Sequence, residues 1–244
     1  MTKDRMQKRR VCALCVAFLA MATTALADPA MEDDPLLVMV MVNRLEIGED
    51  IGEHDTPVAW EADCWLGRDL DKLWIKSEGE YADSRVEETE LHVLYSRAVS
   101  PYWDVQAGWR GDLRPGPERN WFALGMHGLA PYFFEVDAAL FLGESGRTGL
   151  RLGLEYELLL TRKLILAPEV ELNLYGDNDP ATSTGSGLSE LAAGLRLRYE
   201  IRREFAPYIG VTWWRKYGDS ADYARQEDEP AEDSRWVIGI RAWY

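Results

Sequence analysis

The sequence contains very little cysteine. Only three of its 244 residues are cysteines. Cys12 and Cys15 lie in the N-terminal segment, so Cys64 is the single thiol of the remaining chain. One thiol cannot close an internal disulfide, and a metal cluster built from several cysteines is excluded as well.

Basic residues are also scarce. Lysine and arginine total 27 against 42 aspartates and glutamates, which gives a net charge of −15. Residues 1–27 hold five basic residues and one aspartate, a net of +4, so residues 28–244 carry −19. A field of this sign repels nucleic acid and attracts cations, and the sequence therefore excludes a nucleic-acid-binding protein.

Long apolar runs are missing beyond the N-terminal segment. The longest covers residues 36–42, whereas a membrane-spanning helix needs about 20 apolar residues. If this part of the chain crosses a membrane, it must do so as a closed barrel, because only helices and closed barrels satisfy every backbone polar group in lipid.

The N-terminal segment has the three parts of a secretory signal peptide. A basic region precedes an apolar run from Val11 to Ala22, and Ala25-Leu26-Ala27 provides a small-x-small cleavage pattern. We predict a signal peptide over residues 1–27 and a short acidic leader over residues 28–35. A retained anchor is the alternative, although the apolar run is short for one. Lipoprotein processing at Cys15 is another, although the apolar region continues past that residue.

The remaining sequence alternates between apolar and polar residues with a period of two. In residues 150–158 a leucine or tyrosine occupies every even position, and residues 191–199 alternate in the same way. On a helix these apolar side chains would point all round the axis, so the pattern predicts strands. The predicted strands are residues 36–46, 58–67, 72–79, 88–96, 102–110, 121–129, 133–142, 149–158, 164–175, 188–200, 205–215 and 234–244.

The connections between these segments alternate between short turns and mostly longer, polar loops. This alternation with an even strand number is typical of bacterial transmembrane barrels, and it predicts both chain ends on the periplasmic side. The last strand places Trp236, Ile238, Ile240, Ala242 and Tyr244 on one face. Its terminal aromatic residue resembles the signal that the outer-membrane assembly machinery recognises.

Periodicity alone does not decide which face of the sheet points outward. A soluble sandwich or lipocalin-like barrel would turn the apolar face inward. Aromatic residues near strand ends favour the membrane barrel, since they form girdles at the membrane interface. The predicted girdle residues are Trp60, Trp74, Tyr95, Trp103, Trp109, Trp121, Tyr132, Tyr175, Tyr199 and Trp213. We predict an all-β fold, a closed antiparallel transmembrane β-barrel of about 12 strands over residues 36–244.

Several long stretches resemble the copper resistance protein B family. They are WEADCWLGRD at residues 60–69, KLWIKSEGE at 72–80, LYSRA at 94–98, PYWD at 101–104, QAGWR at 106–110, GLAPYFFEVD at 128–137 and RYEIRREFAPY at 198–208. The resemblance spans about residue 36 to the C-terminus. It implies an outer-membrane barrel that binds copper and acts in copper resistance, by export or sequestration. It also implies a periplasmic copper oxidase as a partner protein.

One departure from the family concerns the segment before the barrel. Family members often carry a Met- and His-rich segment there, whereas residues 28–35 contain only Met31. Copper capture by such a segment is therefore in doubt for this chain. The barrel itself, or a partner protein, would have to provide the ligands.

The barrel offers few side chains of the types that bind copper. Thioethers and imidazoles suit Cu(I), and imidazole with oxygen suits Cu(II). Met39 and Met41 are predicted on the lumen side of the first strand, about 7 Å apart. His127 is predicted opposite Glu135, and His92 is predicted to share a face with Glu90 and to lie near Gln106. For each there is a plain alternative: methionine filling space, or histidine bonded to a carboxylate. His54 is expected to be solvated on a loop.

The polar face also collects many charged residues. The predicted lumen carboxylates are Glu61, Asp63, Glu78, Glu90, Asp104, Glu135, Asp137, Glu155, Glu157, Glu169 and Glu171. The predicted lumen cations are Lys76, Arg110, Arg151, Arg196 and Arg198. An acidic interior concentrates cations, although the same groups can pair with one another and plug the barrel.

Two other functions remain as alternatives. A structural or display barrel would present acidic loops such as residues 219–233. An outer-membrane hydrolase needs a nucleophile beside a histidine, but His92 and Ser96 are about 13 Å apart along a strand. We therefore predict a protein that is not an enzyme.

Overall fold

The computed structural model describes residues 34–50, 56–82, 85–113 and 117–244. The predicted signal peptide, Met31 and His54 lie outside these ranges. The described chain forms one antiparallel sheet of thirteen strand segments. They are β1 Leu37–Asp50, β2 Val58–Gly67, β3 Asp71–Ala82, β4 Arg85–Ser100, β5 Trp103–Asp112, β6 Arg119–Ala130, β7 Phe134–Gly143, β8 Thr148–Glu155, β9 Leu158–Leu159, β10 Leu164–Tyr175, β11 Gly187–Tyr199, β12 Phe205–Lys216 and β13 Glu232–Trp243.

The sheet closes on itself, because the first strand pairs with the last. Met41 lies opposite Trp243, and Ile47 lies opposite Ile238 in the pairing of β1 with β13. Every long strand thus has a neighbour on both sides. No strand edge is left with backbone N–H and C=O groups that lipid cannot hydrogen-bond. The prediction of a closed antiparallel barrel is confirmed.

The thirteenth segment arises from an interruption in one predicted strand. Segments β8 and β9 together occupy the predicted strand 149–158, and both pair with β10. Tyr156 donates its backbone N–H to Pro168 of β10 at 3.1 Å, but proline has no N–H to return that bond. The strand is therefore interrupted at residues 156–157. Counting β8 and β9 as one interrupted strand, the barrel has twelve strands, as predicted.

The apolar face of the sheet points outward. Ile238 is 69% exposed and Val38 62%, whereas the charged residues Arg110 and Glu90 are buried on the inner face, at 1% and 4%. A soluble barrel would show the reverse arrangement. The prediction of a leucine- and isoleucine-rich exterior with a charged lumen is confirmed.

The predicted aromatic girdle is only partly correct. Tyr132 and Tyr199 are exposed on the outside. Trp74 and Trp121, by contrast, are buried inside the barrel in one apolar cluster, and Tyr175 packs against it. Their girdle assignment was wrong, because residue spacing from a turn does not distinguish an outward ring from one that fills the lumen.

A bulge in β1 changes which of its residues face inward. The pairing with β2 shifts between Val42 and Arg44. As a result, the neighbours Asn43 and Arg44 both reach carboxylates on the lumen face, Asn43 bonding Asp63 at 2.8 Å and Arg44 bonding Glu61 at 3.0 Å. A β-bulge allows this, since it opposes two residues to one on the partner strand.

The predicted loop at residues 216–233 contains a helix, α1 Gly218–Gln226. The Ser220 hydroxyl oxygen accepts the Gly185 backbone N–H at 2.7 Å and lies 2.6 Å from the Ser189 hydroxyl oxygen. These hydrogen bonds hold α1 against the loop before β11 and the start of β11. Among the described residues, the model contains no helix long and apolar enough to cross a membrane.

Candidate functional site

The inside of the barrel contains a cavity of about 600 Å³. Nine of the eleven predicted lumen carboxylates line it, together with four of the five predicted lumen cations: Glu61, Asp63, Glu78, Glu90, Glu135, Asp137, Glu155, Glu169, Glu171, Lys76, Arg151, Arg196 and Arg198. The other three are also on the inner face: Arg110 beside Glu90, Asp104 beside Lys72 and Glu157 beside Arg198. The alternation of the strands was therefore a sound guide to this surface.

Several ion pairs join strands that are distant around the barrel. Lys76 of β3 contacts Asp137 of β7 at 3.1 Å, and Arg44 of β1 contacts Glu169 of β10 at 3.6 Å. The latter contact could not be predicted, because Arg44 turns inward only through the bulge. These bridges divide the lumen, so an ion moving along it meets fixed charges of both signs.

His127 lies between two carboxylates on β7. Its Nδ1 is 3.4 Å from Asp137 Oδ2, and its Nε2 is 3.7 Å from Glu135 Oε1. The strand register places Asp137, not Glu135, directly opposite His127. The predicted pairing was displaced by two residues, because the turn is centred at residue 132 rather than 131. Both separations exceed an ordinary N–H···O bond, and ring contact with Trp74 at 6.2 Å fixes the imidazole.

His92 lies on β4 among charged groups. Its Nε2 is 3.2 Å from Glu90 Oε2, so the predicted shared face is correct. The residue opposite it on β5 is Arg110, while Gln106 lies opposite Ser96, so the predicted proximity to Gln106 was wrong, because the pairing is displaced by four residues along β5. Arg110 binds the same Glu90 carboxylate.

The two methionines lie on the lumen side of β1. Met41 lines the cavity and packs against the apolar cluster that contains Trp74. Met39 lies opposite Trp65 in the strand pairing with β2. The Trp74 ring of this cluster also lies 6.2 Å, centroid to centroid, from the ring of His127.

Ser96 has no histidine beside it in the described hydrogen-bond network. Its hydroxyl donates to Asp104 at 3.2 Å and lies 3.5 Å from the Gln106 amide nitrogen. His92 bonds Glu90 instead. This arrangement lacks the nucleophile–base contact that hydrolytic catalysis requires.

Comparisons with known proteins agree on a family. The family model described as copper resistance protein B precursor matches residues 36–244. The chain is 50% identical over 187 residues to the copper resistance protein B homolog of Pseudomonas syringae pv. tomato, covering 77% of this chain and 64% of that protein. It is 42% identical over 215 residues to copper resistance protein B of Escherichia coli, covering 88% and 72%. The chain thus spans less than two thirds of the Pseudomonas relative.

The fold is similar to that of a solved porin. The NanC porin structure superposes with a TM-score of 0.57 at 14% sequence identity, covering 83% of this chain and 98% of that one. At this identity the likeness supports the barrel architecture alone.

Proposed function

The chain belongs to the copper resistance protein B family, and we propose from this premise that its outer-membrane barrel binds copper ions in the lumen. Binding there would contribute to copper resistance by export or by sequestration of the ion. Copper is the cargo of the barrel in this proposal, and the lumen side chains are its ligands.

The contact of His127 with Asp137 and Glu135 carries this proposal. A nitrogen and an oxygen that share one ion, each about 2 Å from it, lie roughly 3–4 Å apart. The separation of Nδ1 from Asp137, 3.4 Å, and that of Nε2 from Glu135, 3.7 Å, each fall in that range, so each ring nitrogen has one carboxylate with which it could share an ion. Imidazole with carboxylate oxygen is a donor set that suits Cu(II).

Met41 and Met39 are proposed as soft ligands for Cu(I) on the facing part of the lumen. Thioethers prefer Cu(I) over divalent ions, and Met41 packs against the apolar cluster whose Trp74 ring contacts His127. His92 is proposed as a further imidazole ligand. The acidic surroundings of these groups would concentrate cations near them.

Copper titration of the barrel in detergent tests the proposal. His127→Ala should weaken Cu(II) binding, and replacing Met39 and Met41 by leucine should weaken Cu(I) binding. His54→Ala and Met126→Leu are matched controls, since Met126 is 42% exposed on the outer face. Wild-type protein that binds neither ion above an unrelated barrel would refute lumen binding.

Growth on copper tests the cellular role. A deletion strain should be copper-sensitive, and the wild-type gene should restore growth, whereas a His127→Ala gene should restore it less. Normal growth of the deletion strain would instead favour the display barrel. We further propose that a periplasmic copper oxidase is the partner protein and that the barrel itself is not an enzyme. Co-purification with such an oxidase would test the first point.

A further inference from the structure

A second group of potential metal ligands lies on β3 and β4. Glu78, Glu90 and His92 each offer one ligand atom, and these three atoms lie within 4.8 Å of one another. Glu90 and His92 are buried. Two carboxylates and one imidazole are a common donor set for a divalent transition-metal ion.

An arginine from across the lumen holds the same carboxylates. Arg151 of β8 donates from Nη1 to Glu78 at 2.5 Å and from Nη2 to both oxygens of Glu90, at 3.0 and 3.1 Å. Its Nε donates to Asn173 at 3.0 Å and lies 3.5 Å from Glu171. The guanidinium therefore has two sets of partners, the ligand group on one side and the β10 side chains on the other.

The charges around this arginine do not balance. The connected carboxylates are those of Glu78, Glu90, Glu171 and Asp112, the last of which bonds Arg110 at 2.8 Å. Against these four negative charges stand two guanidiniums, of Arg151 and Arg110. The formal remainder is −2, which one divalent cation neutralises. Uncompensated charge in a partly desolvated lumen is costly, so it is relieved by a proton held between Glu78 and Glu90 or by a bound cation that displaces this proton.

We propose that Glu78, Glu90 and His92 form a binding site for one Cu(II) ion, and that Arg151 acts as an internal cation competing for it. Ligand atoms about 2 Å from one ion lie roughly 3–4 Å apart, so donor atoms that now lie within 4.8 Å of one another must close in by up to about 1–2 Å. When the ion binds, Arg151 moves from Glu78 and Glu90 to Glu171 and Asn173, which it already contacts. The choice of copper rests on the proposed function.

The test uses a His127→Gln barrel, so that His92 is the remaining lumen histidine among the described residues. Cu(II) affinity is measured by competition titration in detergent, and electron paramagnetic resonance reports nitrogen coordination. In this background Arg151→Gln should tighten binding about tenfold or more, because a hydrogen bond to a charged group is worth at least that factor. Glu78→Gln should weaken binding by a similar factor. Arg235→Gln is the matched control: it removes a guanidinium that reaches Glu80 across the lumen at 2.7 Å, and it should leave affinity unchanged.

The outcomes separate this inference from the proposed function. The site is refuted if the His127→Gln barrel binds no Cu(II) either with or without Arg151→Gln, and loss of binding on His127→Gln would then still support the proposed function. The site is also refuted if the His127→Gln barrel binds Cu(II) and neither Arg151→Gln nor Glu78→Gln changes its affinity. If Arg151→Gln tightens Cu(II) binding and electron paramagnetic resonance shows one nitrogen ligand, the site stands. This holds even where His127→Gln by itself does not change the affinity of the wild-type barrel. Heat-modifiable migration on gels reports folding. If Arg151→Gln does not fold, Arg151→Lys replaces it: lysine cannot bridge both glutamates, so affinity should rise, and an unchanged value refutes the competition.

Discussion

Removing the guanidinium of Arg196 should destabilise the barrel strongly. Arg196 donates from Nε and Nη2 to the two oxygens of Glu46, each at 3.0 Å. Both residues are buried, with exposures of 5% for Arg196 and 4% for Glu46. Arg196→Met leaves the Glu46 carboxylate buried with the Tyr208 hydroxyl at 3.0 Å. Breaking a buried ion pair on one side costs about 3–5 kcal/mol, and we expect about 3 kcal/mol because the lumen contains a cavity.

Urea unfolding of the barrel in detergent, followed by tryptophan fluorescence, measures this loss. Arg225→Met is the control, since its pair with Asp222 is 63% exposed on both sides and surface pairs contribute less than about 1 kcal/mol. The double variant Glu46→Leu with Arg196→Met should recover much of the stability, because Glu169, the other carboxylate that Arg196 binds, keeps Arg44 as a partner at 3.6 Å. An Arg196→Met barrel as stable as the control would refute the reasoning.

Three further predictions concern the loops and the outer face. Arg119 hydrogen-bonds Asp179 outside the membrane-spanning strands and holds the pKa of that carboxyl below its usual value. The ion pair therefore stabilises the protein above the unfolded pKa of about 4. Asp179→Asn should lower Tm at pH 7, and the difference should vanish as pH falls through the depressed pKa; a pH-independent difference would contradict this. Ile238→Lys should cost about 2–4 kcal/mol in folding assays in bilayers, and no effect would mean that this face does not meet lipid. Ser220→Ala removes the bond to Gly185 and should speed protease cleavage of α1; unchanged cleavage would show that the helix is held otherwise.

The sequence could predict the barrel because its information is local. Alternation with a period of two assigns each side chain to one of two faces, and the spacing of turns assigns strand neighbours. This rule assigned Ile238 to the apolar face and Asp63 to the charged face, and the transmembrane-barrel interpretation then placed Ile238 outside and Asp63 inside. The family assignment came from the resemblance of long motifs, and the match to the family model confirms it.

The candidate site was less accessible to such reasoning, because contacts across the lumen join residues far apart in the chain. A turn centre misplaced by one residue displaced the partner of His127 by two positions, from Asp137 to Glu135. The bulge that turns Arg44 inward has no clear mark in the sequence pattern. Trp74 shares its face of the strand with Lys76 and Glu78, so the alternation indicated the lumen, and the error was to assign its ring to the girdle from its position near a strand end.

The alternation of the sequence alone thus determined that one face of the sheet is apolar and the other charged, since a strand has only two faces; the transmembrane-barrel interpretation then assigned the apolar face to the outside. Which charges meet was decided by closure of the sheet. Arg151 is 61 residues from Glu90 in the chain, and no local rule relates them. Curvature of the closed barrel brings β8 opposite β3 and β4, so the pairing of the lumen charges is a property of the tertiary structure.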